Sequence, residues 1–201
     1  QQILSLAACI GIKFDIDVLS IICQRPISDL VQSLTIGLES DLIWTTAKTE
    51  TELRTYRFAH DRVQQAAYSL IPSEHRRMTH LKIGQLLLQN WDSEQNEAQI
   101  FEILDHLNLG QELLAEEQSQ IQLAELNLKA AQRAKQATAY SAARDYLTTG
   151  LACLGTARWQ FYGLTLSLHQ ELAEANYLLG DFEASKALIH TILEHATSPL
   201  D

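Results

Sequence analysis

One short run holds the side chains best suited to chemistry: Arg57, His60, Asp61 and Arg62. An imidazole N–H can donate to a phosphate oxygen, and a guanidinium beside it adds charge and further donors. If a helix starts here, its unpaired N–H groups and its dipole favour an anion as well. The chemistry in prospect is phosphate recognition. The plain structural alternative is a His at a strand end, with Asp61 capping a helix and Arg57 and Arg62 as solvated cations.

Other chemistries lack their residues. No G-x-x-x-x-G-K-[ST] loop is present to cradle phosphates, so the chain by itself is expected to bind no nucleotide cofactor and to cleave no ATP. No G-x-G-x-x-G run and no Cys-x-x-Cys pair occurs. His75 and His80, like His190 and His195, are five residues apart, which takes them off a shared helical face, so no metal site is expected. Cys9, Cys23 and Cys153 are widely spaced within apolar helical patterns. They read as small core residues of a reducing compartment rather than as disulfides.

The elements around the run must position it. Tyr56, Phe58 and His60 alternate with Arg57 and Ala59, which is strand spacing. Val63, Ala66, Ala67, Leu70 and Ile71 then recur at three and four residues, one face of a helix. His60-Asp61 stands at the change of period, with Asp61 as the expected N-cap. Upstream, Ile3 to Ile10 reads as a helix, Asp17 as the cap of a helix through Cys23, and Ser28 as the cap of one striped by Leu30, Val31, Leu34 and Leu38. Leu42 to Thr46 and Arg54 to Ala59 read as the strands of one β-hairpin, joined by the polar stretch Ala47 to Glu52. Trp44 and Tyr56 are candidates to pair across it.

This order, with the string Tyr56 to Tyr68, resembles the winged-helix region that follows the nucleotide-binding core of STAND-type ATPases. In the plant-resistance and apoptosis branches of that class a Met-His-Asp motif marks the same junction, and Ala59-His60-Asp61 lines up with it. The longer string through Pro72 is similar to large bacterial signalling proteins that join a Ser/Thr kinase, a STAND ATPase, helical repeats, sensors and often a histidine kinase. Leu6 to Gly11, His80 to Leu88, and Ala139-Tyr140 with Ala143 agree. The resemblance implies that His60, with Asp61 and Arg62, reads ADP or ATP held by an adjacent ATPase domain of the same chain. It implies a cytoplasmic regulatory piece of a longer polypeptide, consistent with a sequence that begins at Gln1.

After Pro72 the pattern is helical throughout. Helices are expected from Ser73 to about Trp91, Asn96 to Leu107, Leu123 to Gln136, from Tyr140 towards Gly150, and from Trp159 to Leu179. A last helix is capped by Asp181, with Ala184, Ala187, Leu188, Ile192 and Leu193 on its buried side. Gly180-Asp181-Phe182 with Ala184, and a weaker version over Ala130 to Gly150, resemble tetratricopeptide units, and the resemblance implies that Phe182 fills the wedge between helices. The fold class expected is mostly α: a winged-helix-like subdomain over 1–72 and antiparallel helical pairs over 73–201, where an unidentified protein partner would bind.

Charge narrows the partners. The net charge is −10, and residues 1–71 hold 6 Lys and Arg against 8 Asp and Glu. The expected recognition helix of a DNA reader, Ser28 to Ser40, has no Lys or Arg. The rival reading, a DNA-binding winged-helix regulator, therefore lacks its cations, and no nucleic-acid partner is expected. A helical scaffold without nucleotide coupling is the third reading. No apolar run reaches the roughly 18 to 20 residues of a membrane span.

Overall fold

A small sheet organises the first part of the chain. The computed structural model describes residues 1–45, 55–92 and 97–197. Strands β1 (Lys13–Asp15), β2 (Ile43–Thr45) and β3 (Thr55–Phe58) pair antiparallel in the order β1-β3-β2. The expected hairpin pairing is there, but β1 makes the sheet three-stranded. Three residues carry too little alternation to announce β1 in sequence. Thr46, Arg54 and the polar stretch between them lie outside the described residues.

Among the described residues five helices accompany the sheet: α1 (Gln2–Ile10), α2 (Ile16–Cys23), α3 (Ile27–Glu39), α4 (Asp61–Ser69) and α5 (Ser73–Gln89). Asp15, not Asp17, caps α2; its carboxylate accepts from the Asp17 N–H at 2.8 Å. Pro26 and Pro72, not Ser28 and Ser73, hold the N-cap places of α3 and α5. Proline's fixed φ suits that boundary, and its missing N–H leaves one donor fewer to satisfy. Each serine hydroxyl instead donates to the next carboxylate, Ser28 to Asp29 and Ser73 to Glu74, both at 3.3 Å.

Phe14, Tyr56 and Phe58 turn one face of the sheet into the core, among Leu19, Leu30, Leu34 and Ile43. Phe14 stacks on Tyr56 at 5.7 Å and 11°. Trp44 does not pair with Tyr56: register puts Trp44 opposite Arg57 on the outer face, and Trp44 is half exposed. The stripe expected on α4 is narrower in fact. Ala67 is buried, Val63 is half-buried, and Ala66 and Leu70 are exposed. On α5, Leu81, Ile83 and Leu87 are buried while Met78 is exposed. Since α5 packs with α2, this compact unit runs to Asn96 rather than stopping at Pro72.

The second unit, Glu97–Asp201, is helical among its described residues. It comprises α6 (Gln99–Leu107), α7 (Glu117–Gln136), α8 (Tyr140–Cys153), α9 (Tyr162–Leu178) and α10 (Phe182–His195). A 3-10 turn, Arg158–Phe161, splits off the start of the long helix expected from Trp159. Alanines thin the contacts: Ala124, Ala131, Ala134 and Ala143 pack with Leu147, Leu151, Leu168 and Leu172. Buried Asn127 is held by a reciprocal amide pair with Asn108, both bonds 2.9 Å.

Helices α7 and α9 end in the same way. Thr138 and Gly180 both take left-handed φ, 59° and 81°. The Ala139 N–H donates to the Ala134 carbonyl at 2.8 Å, and the Asp181 N–H to the Asn176 carbonyl at 2.9 Å. This is the paired closure of a helix C-terminus by a left-handed residue. Asp181 then caps α10, accepting from the Ala184 N–H at 3.1 Å. Phe182 does not fill a wedge: it is exposed and meets Tyr177 edge-on at 5.3 Å. On α10 the buried positions are Ser185 and Ile192, while Ala187 and Leu193 are exposed.

Candidate functional site

Strand β3 delivers the site from the middle of the sheet. Its last N–H, on Phe58, donates to the Ile12 carbonyl at 2.8 Å, and the Ala59 N–H donates to the Leu42 carbonyl at 3.0 Å. The chain is thus gripped from both sides up to the residue before His60. There the alternation breaks. Ala59 turns inward and is buried, and His60 is exposed, so His60 does not share the face of Phe58.

His60, not Asp61, is the N-cap of α4. Its backbone is extended (φ −147°, ψ 153°) and its carbonyl accepts from Val63 at 2.9 Å and Gln64 at 3.2 Å. Its side chain makes no capping bond. The imidazole is therefore not consumed by the helix it introduces. Asp61 is the first helical residue, an exposed acid in the first turn that favours the helix dipole. Gln64 ties α4 back to α1 by donating to the Ala8 carbonyl at 2.7 Å.

A surface concavity of about 500 Å³ is lined by Arg57, Ala59, His60, Asp61 and Arg62. The four residues singled out by the sequence, Arg57, His60, Asp61 and Arg62, all line it. Two further groups escaped the sequence reading. The Trp44 ring stands edge-on to His60, centroids 6.3 Å apart. Lys13 faces Arg57 in register, two cations side by side on the exposed face. Like charges so placed repel and are relieved by an anion. Lys13 could have been noticed only once β1 was known.

The arrangement can hold an anion: an imidazole donor, arginines on two sides and a helix N-terminus share one hollow. Among the described residues no group of His, Cys, Asp and Glu could hold a metal ion. Burial pushes the Cys9 thiol up to about 11, against the opposing pull of Arg76, and pushes Cys153 up to about 11 as well. Neither is a thiolate at neutral pH, so neither serves as a ready nucleophile. Among the described residues no helix is long and apolar enough to cross a membrane.

A second polar cluster lies in the helical unit. Lys135 on α7 donates to Glu171 of α9 at 2.5 Å and also to Glu174. Burial pulls the Lys135 ammonium down, and the two carboxylates more than reverse it, so it stays charged. This cluster clamps two helices.

No family model matches the chain, and no solved structure matches it. Hybrid signal transduction histidine kinase G of Dictyostelium discoideum is 24% identical over 253 aligned residues, which take in 98% of this chain. The chain spans about 7% of that protein's length. The similarity is to a short stretch of a signalling protein.

Proposed function

We propose that this chain is a non-catalytic regulatory and interaction segment of a larger signalling kinase. In this reading the first unit is a winged-helix-like body set against a STAND-type ATPase domain of the same polypeptide. His60 donates to a phosphate of the ADP held there, Arg62 adds charge, and Asp61 steadies the start of α4. The helices from α7 onward, read as tetratricopeptide-like pairs, carry the nucleotide state onward or engage a protein partner. One observation carries the reading: an uncommitted, exposed imidazole at a helix N-cap, in one hollow with Arg57 and Arg62. The similarity to a histidine kinase supports a signalling context. A DNA reader is not favoured, because α3 holds no Lys or Arg.

The test uses the intact parent protein. His60→Ala removes one charge-assisted donor, worth roughly 1.5–3 kcal/mol. Release of bound ADP should quicken about tenfold to a hundredfold, while the melting temperature of the 201-residue chain stays put. Unchanged ADP retention would end the nucleotide reading. ATP turnover by the chain alone, persisting through further purification, would end the non-catalytic one.

A further inference from the structure

The His60 imidazole meets an aromatic ring brought to it by strand register. Trp44 on β2 stands opposite Arg57 of β3, on the outer face of the sheet. The pairing runs on for one residue past β3, since the Ala59 N–H donates to the Leu42 carbonyl at 3.0 Å. Ala59 turns inward, and His60 comes out on the side where Trp44 stands. The two rings lie edge-on at 63° with centroids 6.3 Å apart, an orientation and spacing favoured by aromatic pairs. Trp44 is half exposed, so core filling does not account for its ring.

Trp44 lines a different hollow from the one that holds His60. That neighbouring hollow, of about 390 Å³, is lined by Lys13, Thr45, Thr55 and Arg57 as well as Trp44. An anion seated among Arg57, His60 and Arg62 meets the imidazole and not the indole. The His60 side chain makes no capping bond, so its own helix does not fix the ring. The indole beside it limits the turning of the imidazole about its side-chain bonds.

We infer that Trp44 is a positioning residue for His60: it holds the imidazole at the hollow before a ligand arrives, and it acts on the ligand through that ring. The effect on nucleotide rests on the phosphate-reading role proposed above, whereas the ring contact belongs to the chain itself. Ordering a free side chain at the moment of binding weakens binding roughly twofold to tenfold. An imidazole already held by Trp44 avoids that loss.

Proton NMR of the 201-residue chain reads the contact directly, because an indole shifts the resonances of protons beside it. The His60 ring signals are identified by their loss in His60→Gln. Trp44→Ala should move them to the positions of an exposed, uncontacted histidine and leave the signals of the other histidines in place. In the intact parent protein, Trp44→Ala should quicken ADP release roughly twofold to tenfold. It should add nothing in a His60→Ala background, since coupled residues are not additive. Unmoved His60 signals overturn the proposal, as does an unchanged release rate in a parent protein that His60→Ala does quicken. Movement of all the histidine signals overturns it as well, because Trp44 would then be a prop of the sheet. An equal quickening with and without His60 would mean that Trp44 acts through Arg57 or on the ligand, which is equally fatal. If His60→Ala leaves ADP retention unchanged, the nucleotide reading falls, while the ring signals still uphold or overturn the placing of His60 by Trp44.

Discussion

Burial sets the behaviour of two histidines on which the proposed site does not depend. His80 is buried, its Nε2 lies 3.0 Å from the Tyr68 hydroxyl, and burial holds its imidazole below the usual histidine range. His169 is held low first by burial, aided by Arg158 and His195 and opposed by its bond to the Thr165 carbonyl. A histidine whose folded-state value is lowered takes up its proton more readily when unfolded. Its contribution is complete above the ordinary value of 6.5 and is lost as pH falls from there. Melting temperature should therefore drop between pH 7 and pH 5. The chain also sheds negative charge as it approaches its pI near 5.1, which relieves self-repulsion and works the other way. His80→Gln separates the two effects: the drop should shrink in the variant, and an equal drop would remove His80 as its source.

At the level of elements, close approach decides what can be exchanged. Gly150 lets α9 lie against α8, with Ala124 and Asn127 also within 3.4 Å of where a Cβ would stand. Gly150→Ile should cost about 1–3 kcal/mol by overpacking. Urea titration followed by circular dichroism would show it, and an unchanged midpoint would argue that α9 can shift. The same elements show what was legible in the sequence. Periodicity placed the helices and the pairing of β2 with β3, because buried faces leave a repeat of their own period. Caps were misread by a residue or two, as at Asp15, Pro26 and His60, because a boundary is one backbone angle rather than a pattern. Phe182 was misread because the tetratricopeptide resemblance supplied a wedge for it, and a sequence does not show whether a neighbour covers the ring. His60, Asp61 and Arg62 were legible as a group since they are adjacent in sequence. Lys13 and Trp44 reach the same place only through strand register.

For the whole chain, the excess of acid sets the partners it will attract. Nonspecific DNA binding draws on release of counterions by protein cations, and a net charge of −10 works against it. The local cations Lys13, Arg57 and Arg62 suit one small anion better than an extended backbone. Titration with mixed duplexes at low salt should give no saturable binding; micromolar affinity would revive the DNA-reading alternative. The place of β3 in the sheet has a mechanical consequence. Because β1 and β2 clamp it on both edges, the amides of Phe58 and Ala59 should exchange with solvent among the slowest in the first unit, while the side chain one residue later is open to water. His60 is thus mounted on the stiffest strand available to it. A push on its ring cannot be absorbed by a yielding loop beneath it, and must be borne by the sheet and by α1, which Gln64 ties to α4.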